Sequence, residues 1–94
     1  MPTNFALFEA KPNPTKGVTE ISFSIPTTTD VELTIYDVSG RLVATLVKGR
    51  LNAGTHTATW NGLDSHGRRV AQGVYFYRLR ADEFNATKKL LLIR

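Results

Sequence analysis

Apolar side chains in this chain recur at every second position and never hold helical spacing. Ile21, Phe23 and Ile25 alternate with Ser22 and Ser24, and Val31, Leu33 and Ile35 alternate with Glu32, Thr34 and Tyr36. Successive side chains of a strand point to opposite faces, so each run has one dry face and one wet face. No stretch keeps apolar residues at i, i+3, i+4 and i+7 for long enough to make an amphipathic helix. A chain patterned this way builds sheets, and sheets with one dry face bury it by packing on one another.

Turn residues punctuate the strands at regular intervals. Pro26 and the run Thr27-Thr28-Thr29-Asp30 end the first alternating segment, and Asp37-Val38-Ser39-Gly40 ends the second, with Gly40 free to take positive φ. Leu42 to Val47 is mostly apolar and is expected to be buried on more than one side. Asn52-Ala53-Gly54 turns the chain into Thr55 to Trp60, a strand of β-branched and aromatic residues. Asn61-Gly62 and His66-Gly67 bound a polar loop. Val74 to Arg80, with Tyr75-Phe76-Tyr77 in a row, is the best core strand. Asp82 to Asn85 closes a hairpin, and Ala86 to Arg94 returns as the last strand. Asn4 to Ala10 adds an edge strand that Pro12-Asn13-Pro14 interrupts. The pattern predicts an all-β fold, an immunoglobulin-like β-sandwich of about seven antiparallel strands. An up-and-down barrel is the alternative, disfavoured by two long turns that suit strands switching sheets. Residues 4–94 form one domain and residues 1–3 a linker.

Composition removes most chemistry. The chain of 94 residues has no cysteine, which excludes disulfides, thiolate metal sites and a cysteine nucleophile. His56 and His66, the two histidines, have no partner at ligand spacing, whereas zinc needs three or four ligands. Asp64-Ser65-His66 contains triad residue types, but adjacent residues cannot point one at another as triad geometry requires. Asn61, Asp64 and Ser65 could offer oxygens to calcium, yet their spacing is not that of an EF-hand loop, and capping of the loop's own backbone is the better account. No enzyme activity, cofactor or metal is expected. The net charge of +4, from 12 basic and 8 acidic residues, is scattered, so no nucleic-acid surface is expected. No segment reaches 18 apolar residues, so no membrane-spanning helix is expected. Met1 to Asn4 lack the charged start and apolar run of a signal peptide, and a lone domain of this kind is expected to be a piece of a longer protein.

Three ordered segments carry a resemblance. They are Val31-x-Leu33-x-Ile35-Tyr36-Asp37-Val38-Ser39-Gly40-Arg41-Leu42-Val43, then Leu51-Asn52-Ala53-Gly54-Thr55-His56-x-x-x-Trp60-Asn61-Gly62, and finally Gly67-x-x-Val70-Ala71-x-Gly73-Val74-Tyr75-Phe76-Tyr77-Arg78-Leu79. With Asn13-Pro14 before them and the ending Lys88-Lys89-Leu90-Leu91-Leu92-Ile93-Arg94, the chain resembles the type A C-terminal sorting domain of the type IX secretion system. It is also similar to the immunoglobulin-like domain of the flagellar hook-capping protein. Asn13-Pro14-Thr15-Lys16-Gly17 stands where sorting domains commonly have a longer turn.

The first resemblance implies a mechanism. The domain folds in the periplasm of a Bacteroidetes-type bacterium, carrying an N-terminally fused cargo. An outer-membrane translocon and shuttle recognise Lys88, Lys89 and Leu90 through Arg94, and the cargo is secreted or held on the cell surface, a sortase-like peptidase acting last. The turn residues Asn13, Pro14, Gly40, Arg41, Gly54 and Gly73 are shared motif positions. An edge strand at the end of the chain suits this role, because a receptor can pair with its open backbone by strand addition. The domain is expected to be monomeric. Two other functions compete: a structural domain of an extracellular hook-cap-like assembly, and a carbohydrate-binding module whose platform would be Trp60, Tyr36, Phe76 and Tyr77.

Overall fold

The computed structural model describes residues 3–94, so Met1 and Pro2 of the expected linker lie outside the described residues, while Thr3 is exposed. Seven strands follow one another: β1 (Ala6–Leu7), β2 (Thr19–Ile25), β3 (Thr29–Asp37), β4 (Leu42–Leu51), β5 (Gly54–Trp60), β6 (Gly73–Ala81) and β7 (Phe84–Leu92). They form a three-stranded sheet in the order β1-β2-β5 and a four-stranded sheet in the order β4-β3-β6-β7, every pairing antiparallel. The architecture is the immunoglobulin-like sandwich, with two separate sheets rather than a closed barrel.

Alternation decides what lies between the sheets. Ile21, Phe23 and Ile25 from β2 face Leu33 and Ile35 from β3, Tyr77 and Leu79 from β6, and Leu90 and Leu92 from β7. All of these are buried. Trp60, at the end of β5, completes the layer, packed edge-on against Tyr75 at 5.4 Å. Its indole N–H donates to the Leu63 carbonyl at 2.9 Å, so the largest core side chain brings no orphaned polar atom inside. On the outer face of the small sheet, Ser22 with Thr57 and Ser24 with Thr55 form hydroxyl pairs across the strands.

The apolar run of β4 has a different explanation from the one expected. It lies at a sheet edge, and its register against β3 shifts twice, between Leu33 and Thr34 and again between Ile35 and Tyr36. Each shift moves β4 side chains to the other face. Val43 and Ala44 are consequently buried in succession while Leu42 is 56% exposed. The run is apolar because it changes faces, not because it is covered on both.

Asp82 and Glu83 alone turn β6 into β7, since Ala81 pairs with Phe84, and Asp82 takes φ 56°. That positive φ suits the twist of a tight hairpin. Thus β7 is delivered to the edge of the large sheet with Leu90 and Leu92 inward and Leu91 outward.

The two faces of β7 predict opposite mutational costs. Leu90→Ala should lower unfolding free energy by about 2–5 kcal/mol, whereas Leu91→Ala should cost under about 1 kcal/mol; urea denaturation of both variants checks this.

Candidate recognition surface

β7 is an edge strand, but half of its edge is closed. Asn13 lies alongside it and uses its side-chain amide as a substitute for strand backbone. Its Nδ2 donates to the Lys89 carbonyl at 3.0 Å, and its Oδ1 accepts from the Leu91 N–H at 3.1 Å. Two residues on, the Thr15 N–H donates to the Leu91 carbonyl at 2.9 Å and the Thr15 carbonyl accepts from the Ile93 N–H at 2.8 Å. This clasp is itself anchored. Thr15 is fully buried, its hydroxyl donates to the Val18 carbonyl at 2.8 Å, and Thr19 Oγ1 donates to the Pro12 carbonyl at 2.7 Å. In an antiparallel ladder backbone groups alternate in direction, so Asn85, Thr87 and Lys89 also present groups outward. Among the described residues only the Lys89 carbonyl of that set is taken by the clasp. The edge is therefore open toward the hairpin and shut toward Arg94, which narrows where strand addition could occur.

The expected recognition residues separate into three environments. Leu90 and Leu92 are core. Arg94 is tied down: its Nε donates to the Val70 carbonyl at 3.0 Å and its Nη2 to the Gly62 carbonyl at 3.1 Å, drawing the loop between β5 and β6 against the end of β7. Lys88, Lys89, Leu91 and Ile93 remain reachable, Leu91 and Ile93 being 37% and 41% exposed. The Lys88 ammonium lies 3.8 Å from the Glu9 carboxylate, an exposed pair that contributes little.

The shared turn positions do not gather into one site. Asn13 and Pro14 belong to the clasp, Gly54 and Gly73 begin β5 and β6, and Gly40 and Arg41 form the β3–β4 turn. That last turn has a twin. In Asp37-Val38-Ser39-Gly40-Arg41 and in Asp64-Ser65-His66-Gly67-Arg68, the aspartate Oδ1 accepts from the N–H groups two and four residues later, at 2.9 and 3.0 Å in both. In both, the glycine N–H donates to the aspartate carbonyl at 3.0 Å, with φ at 86° for Gly40 and 78° for Gly67. A side chain with Cβ is disfavoured at such φ. The Ser39 hydroxyl, followed by the Arg41 N–H, holds the Asp37 carboxyl below its ordinary pKa, and the Arg68 N–H does the same for Asp64. Asp64 thus serves its own backbone. The twins lie side by side, the Ser65 N–H donating to the Val43 carbonyl at 2.9 Å. The D-x-x-G-R spacing was the available signal for the pair, though nothing in it says that the copies border one hollow.

Other candidates are occupied by packing. His56 stacks on Phe23 at 5.5 Å with its Nε2 2.8 Å from the Asn52 carbonyl. Of the four aromatics expected as a platform, Trp60 and Tyr77 are buried, while Tyr36 and Phe76 are half-buried. The Tyr75 hydroxyl donates to the Ala71 carbonyl at 2.6 Å. The Tyr77 hydroxyl donates to the Phe8 carbonyl and accepts from the Ala10 N–H, both at 2.9 Å, which pins the segment leading into the clasp. Among the described residues no group of three or more His, Cys, Asp or Glu could hold a metal ion, and no helix is long and apolar enough to cross a membrane.

Two predictions follow from these contacts. Asn13→Ala should cost about 1–2 kcal/mol by urea denaturation and speed hydrogen exchange at the Leu91 amide. Burial pushes Tyr77 up to about 12. The folded state then holds a proton that the unfolded state releases near pH 10, so this contribution is intact below pH 10 and is lost as pH rises toward 12. Tyr77→Phe should flatten that alkaline decline, measured as unfolding free energy against pH.

The FlgD Ig-like domain family matches residues 10–83. The basal-body rod modification protein FlgD of Salmonella typhimurium is 49% identical over 45 residues, a match that spans 48% of this chain and 19% of that protein. Dimeric latent PorU of Porphyromonas gingivalis superposes on 93% of this chain with a TM-score of 0.76 at 20% identity, using 9% of its own length. PorZ, a surface component of the type IX secretion system of the same organism, superposes on 94% with a TM-score of 0.62 at 22% identity, using 11% of its length. The two superpositions are likenesses of fold, and the sequence match over residues 10–83 carries the assignment: the chain belongs to the FlgD Ig-like domain family.

Proposed function

We propose that this domain is a non-catalytic sorting module of type IX secretion. A fused N-terminal cargo passes through the periplasm and is released or held at the cell surface after an outer-membrane translocon and its shuttle grip the domain. A sortase-like peptidase acts on the product of that transfer. The observation that carries the reading is the division of labour within β7: Leu90 and Leu92 lock the strand inward while Lys89, Leu91 and Ile93 stand outward. A receptor can read those outward side chains without unfolding the sandwich, and the open Asn85–Thr87 edge lies beside them. The ordered motifs and the likeness of fold to PorU and PorZ support the same reading.

A second reading is a structural domain of an extracellular, hook-cap-like assembly. The 49% identity to FlgD over 45 residues favours it. The burial of Trp60 and Tyr77 removes two of the four expected platform residues, leaving the half-buried Tyr36 and Phe76, and weighs against the carbohydrate-binding module.

The test fuses the chain to a periplasm-targeted fluorescent reporter in a cell competent for type IX secretion. Removing Lys88 to Arg94 entirely would also remove Leu90 and Leu92 from the core, so the informative variant is Lys89→Glu with Leu91→Ser and Ile93→Ser. Surface or medium reporter should fall at least about tenfold with the melting temperature little changed, as expected for loss of exposed contacts. Undiminished export of the folded variant would overturn the assignment of recognition to β7. Failure of the parent domain to export any reporter would favour the structural reading.

A further inference from the structure

The outer face of the four-stranded sheet carries a second feature. A shallow hollow of about 390 Å³ opens between the β3–β4 turn and β6, lined by Tyr36, Val38, Gly40, Phe76, Arg78 and Thr87. Its surface is mainly apolar, and Val38 on the rim is 73% exposed. The Arg78 guanidinium lies over the Tyr36 ring at 4.9 Å, and its Nη2 donates to the Tyr36 hydroxyl at 2.8 Å. The side chain is thereby held in one orientation.

Arg78 nevertheless lacks what a half-buried guanidinium ordinarily has. Arg80 has Glu32 at 3.8 Å and Arg50 has Asp30 at 3.8 Å, whereas among the described residues no carboxylate lies within 4.0 Å of Arg78. Its Nε is enclosed and donates to nothing, and Thr34 Oγ1, on the residue paired with Arg78 across β3 and β6, is likewise enclosed and unpartnered. Asp37 also borders the hollow, but its carboxylate is committed to Ser39 and Arg41. The Arg78 Nε and Thr34 Oγ1 are both closed to solvent, so a carboxylate entering the hollow would meet the terminal Nη groups, whose planar array fits one. Lys89, paired with Phe76 and hence on the same outer face, makes the surroundings cationic.

We propose that this hollow seats an extended acidic–apolar peptide segment of a partner protein, with one carboxylate on Arg78 and the adjoining apolar side chain against Val38 and Phe76. Charge complementarity selects the occupant: among the described residues, the one partly buried cation on this face without a carboxylate borders an apolar hollow, on a chain of net charge +4. An acidic sugar is disfavoured, because the guanidinium already covers one face of the Tyr36 ring and Phe76 is half-buried.

The experiment titrates the isotope-labelled 94-residue chain with the capped peptide Ac-Val-Glu-Val-Glu-Val-NH2, following amide shifts by NMR. The same titration uses the Gln counterpart of that peptide and, separately, tetragalacturonate. The Glu peptide should shift the amides of Tyr36, Val38, Phe76, Arg78 and Thr87, and 1 M salt, with a Debye length of about 3 Å, should weaken it. Arg78→Lys, which keeps the charge and loses the fork, should weaken binding about tenfold. Val38→Ser, in an exposed turn that tolerates the change, should weaken it as well. Absence of these shifts at millimolar peptide, equal binding of the Gln peptide, or affinity unaffected by both variants would overturn the proposal. Binding of tetragalacturonate in preference to the Glu peptide would overturn the class of ligand. Each readout concerns the isolated chain, so none depends on whether it is a secretion signal.

Discussion

Backbone N–H and C=O groups at a sheet edge demand partners, and the answer to that demand along β7 organises much of this molecule. The strand closes the large sheet with its inner face, yet its outer edge would be left as an open ladder for any extended chain. Asn13 meets the requirement without a strand, using one side-chain amide as donor and acceptor for Lys89 and Leu91. Thr15 continues the pairing through its own backbone. Since the same segment is tied to β2 by the Lys11–Glu20 pairing and to β6 by the Tyr77 hydroxyl, closing the edge also stitches the two sheets together. In a sandwich without disulfides, such polar stitches supplement a single apolar layer.

The consequence for function is a division of surfaces. Toward Arg94 the edge is shut and side chains alone can be read; toward the hairpin the backbone is open as well. The outward face of the large sheet carries Arg78, fixed on Tyr36, together with Lys89. Family membership accounts for the sandwich, which is the property of a scaffold. What the scaffold carries is decided by the small number of side chains left outside it.

Much of the architecture was legible in the residues. Period-two patterning identified β2 and β3, aromatic and β-branched runs identified β5 and β6, and Asp82–Asn85 was recognisable as a hairpin because short polar residues tolerate the required φ. β4 was legible as a strand but not in its environment, since two register shifts are set by pairing with β3 and leave no mark on the apolar run itself. The recognition residues were legible only as a group. That Leu90 and Leu92 differ from Leu91 follows from alternation, but that Arg94 is held by Gly62 and Val70 depends on a loop some two dozen or more residues away in sequence.

By itself, then, the order of apolar and polar residues determined the fold class, the strands and most of the core, because alternation and turn chemistry act between neighbours along the chain. Only the tertiary structure decided which edges are open, which of the terminal cations are free, and that two D-x-x-G-R turns sit side by side. Those properties arise from contacts across as many as 78 residues, such as Asn13 with Leu91, and a hydrogen bond of that span depends on how whole sheets pack rather than on any local preference.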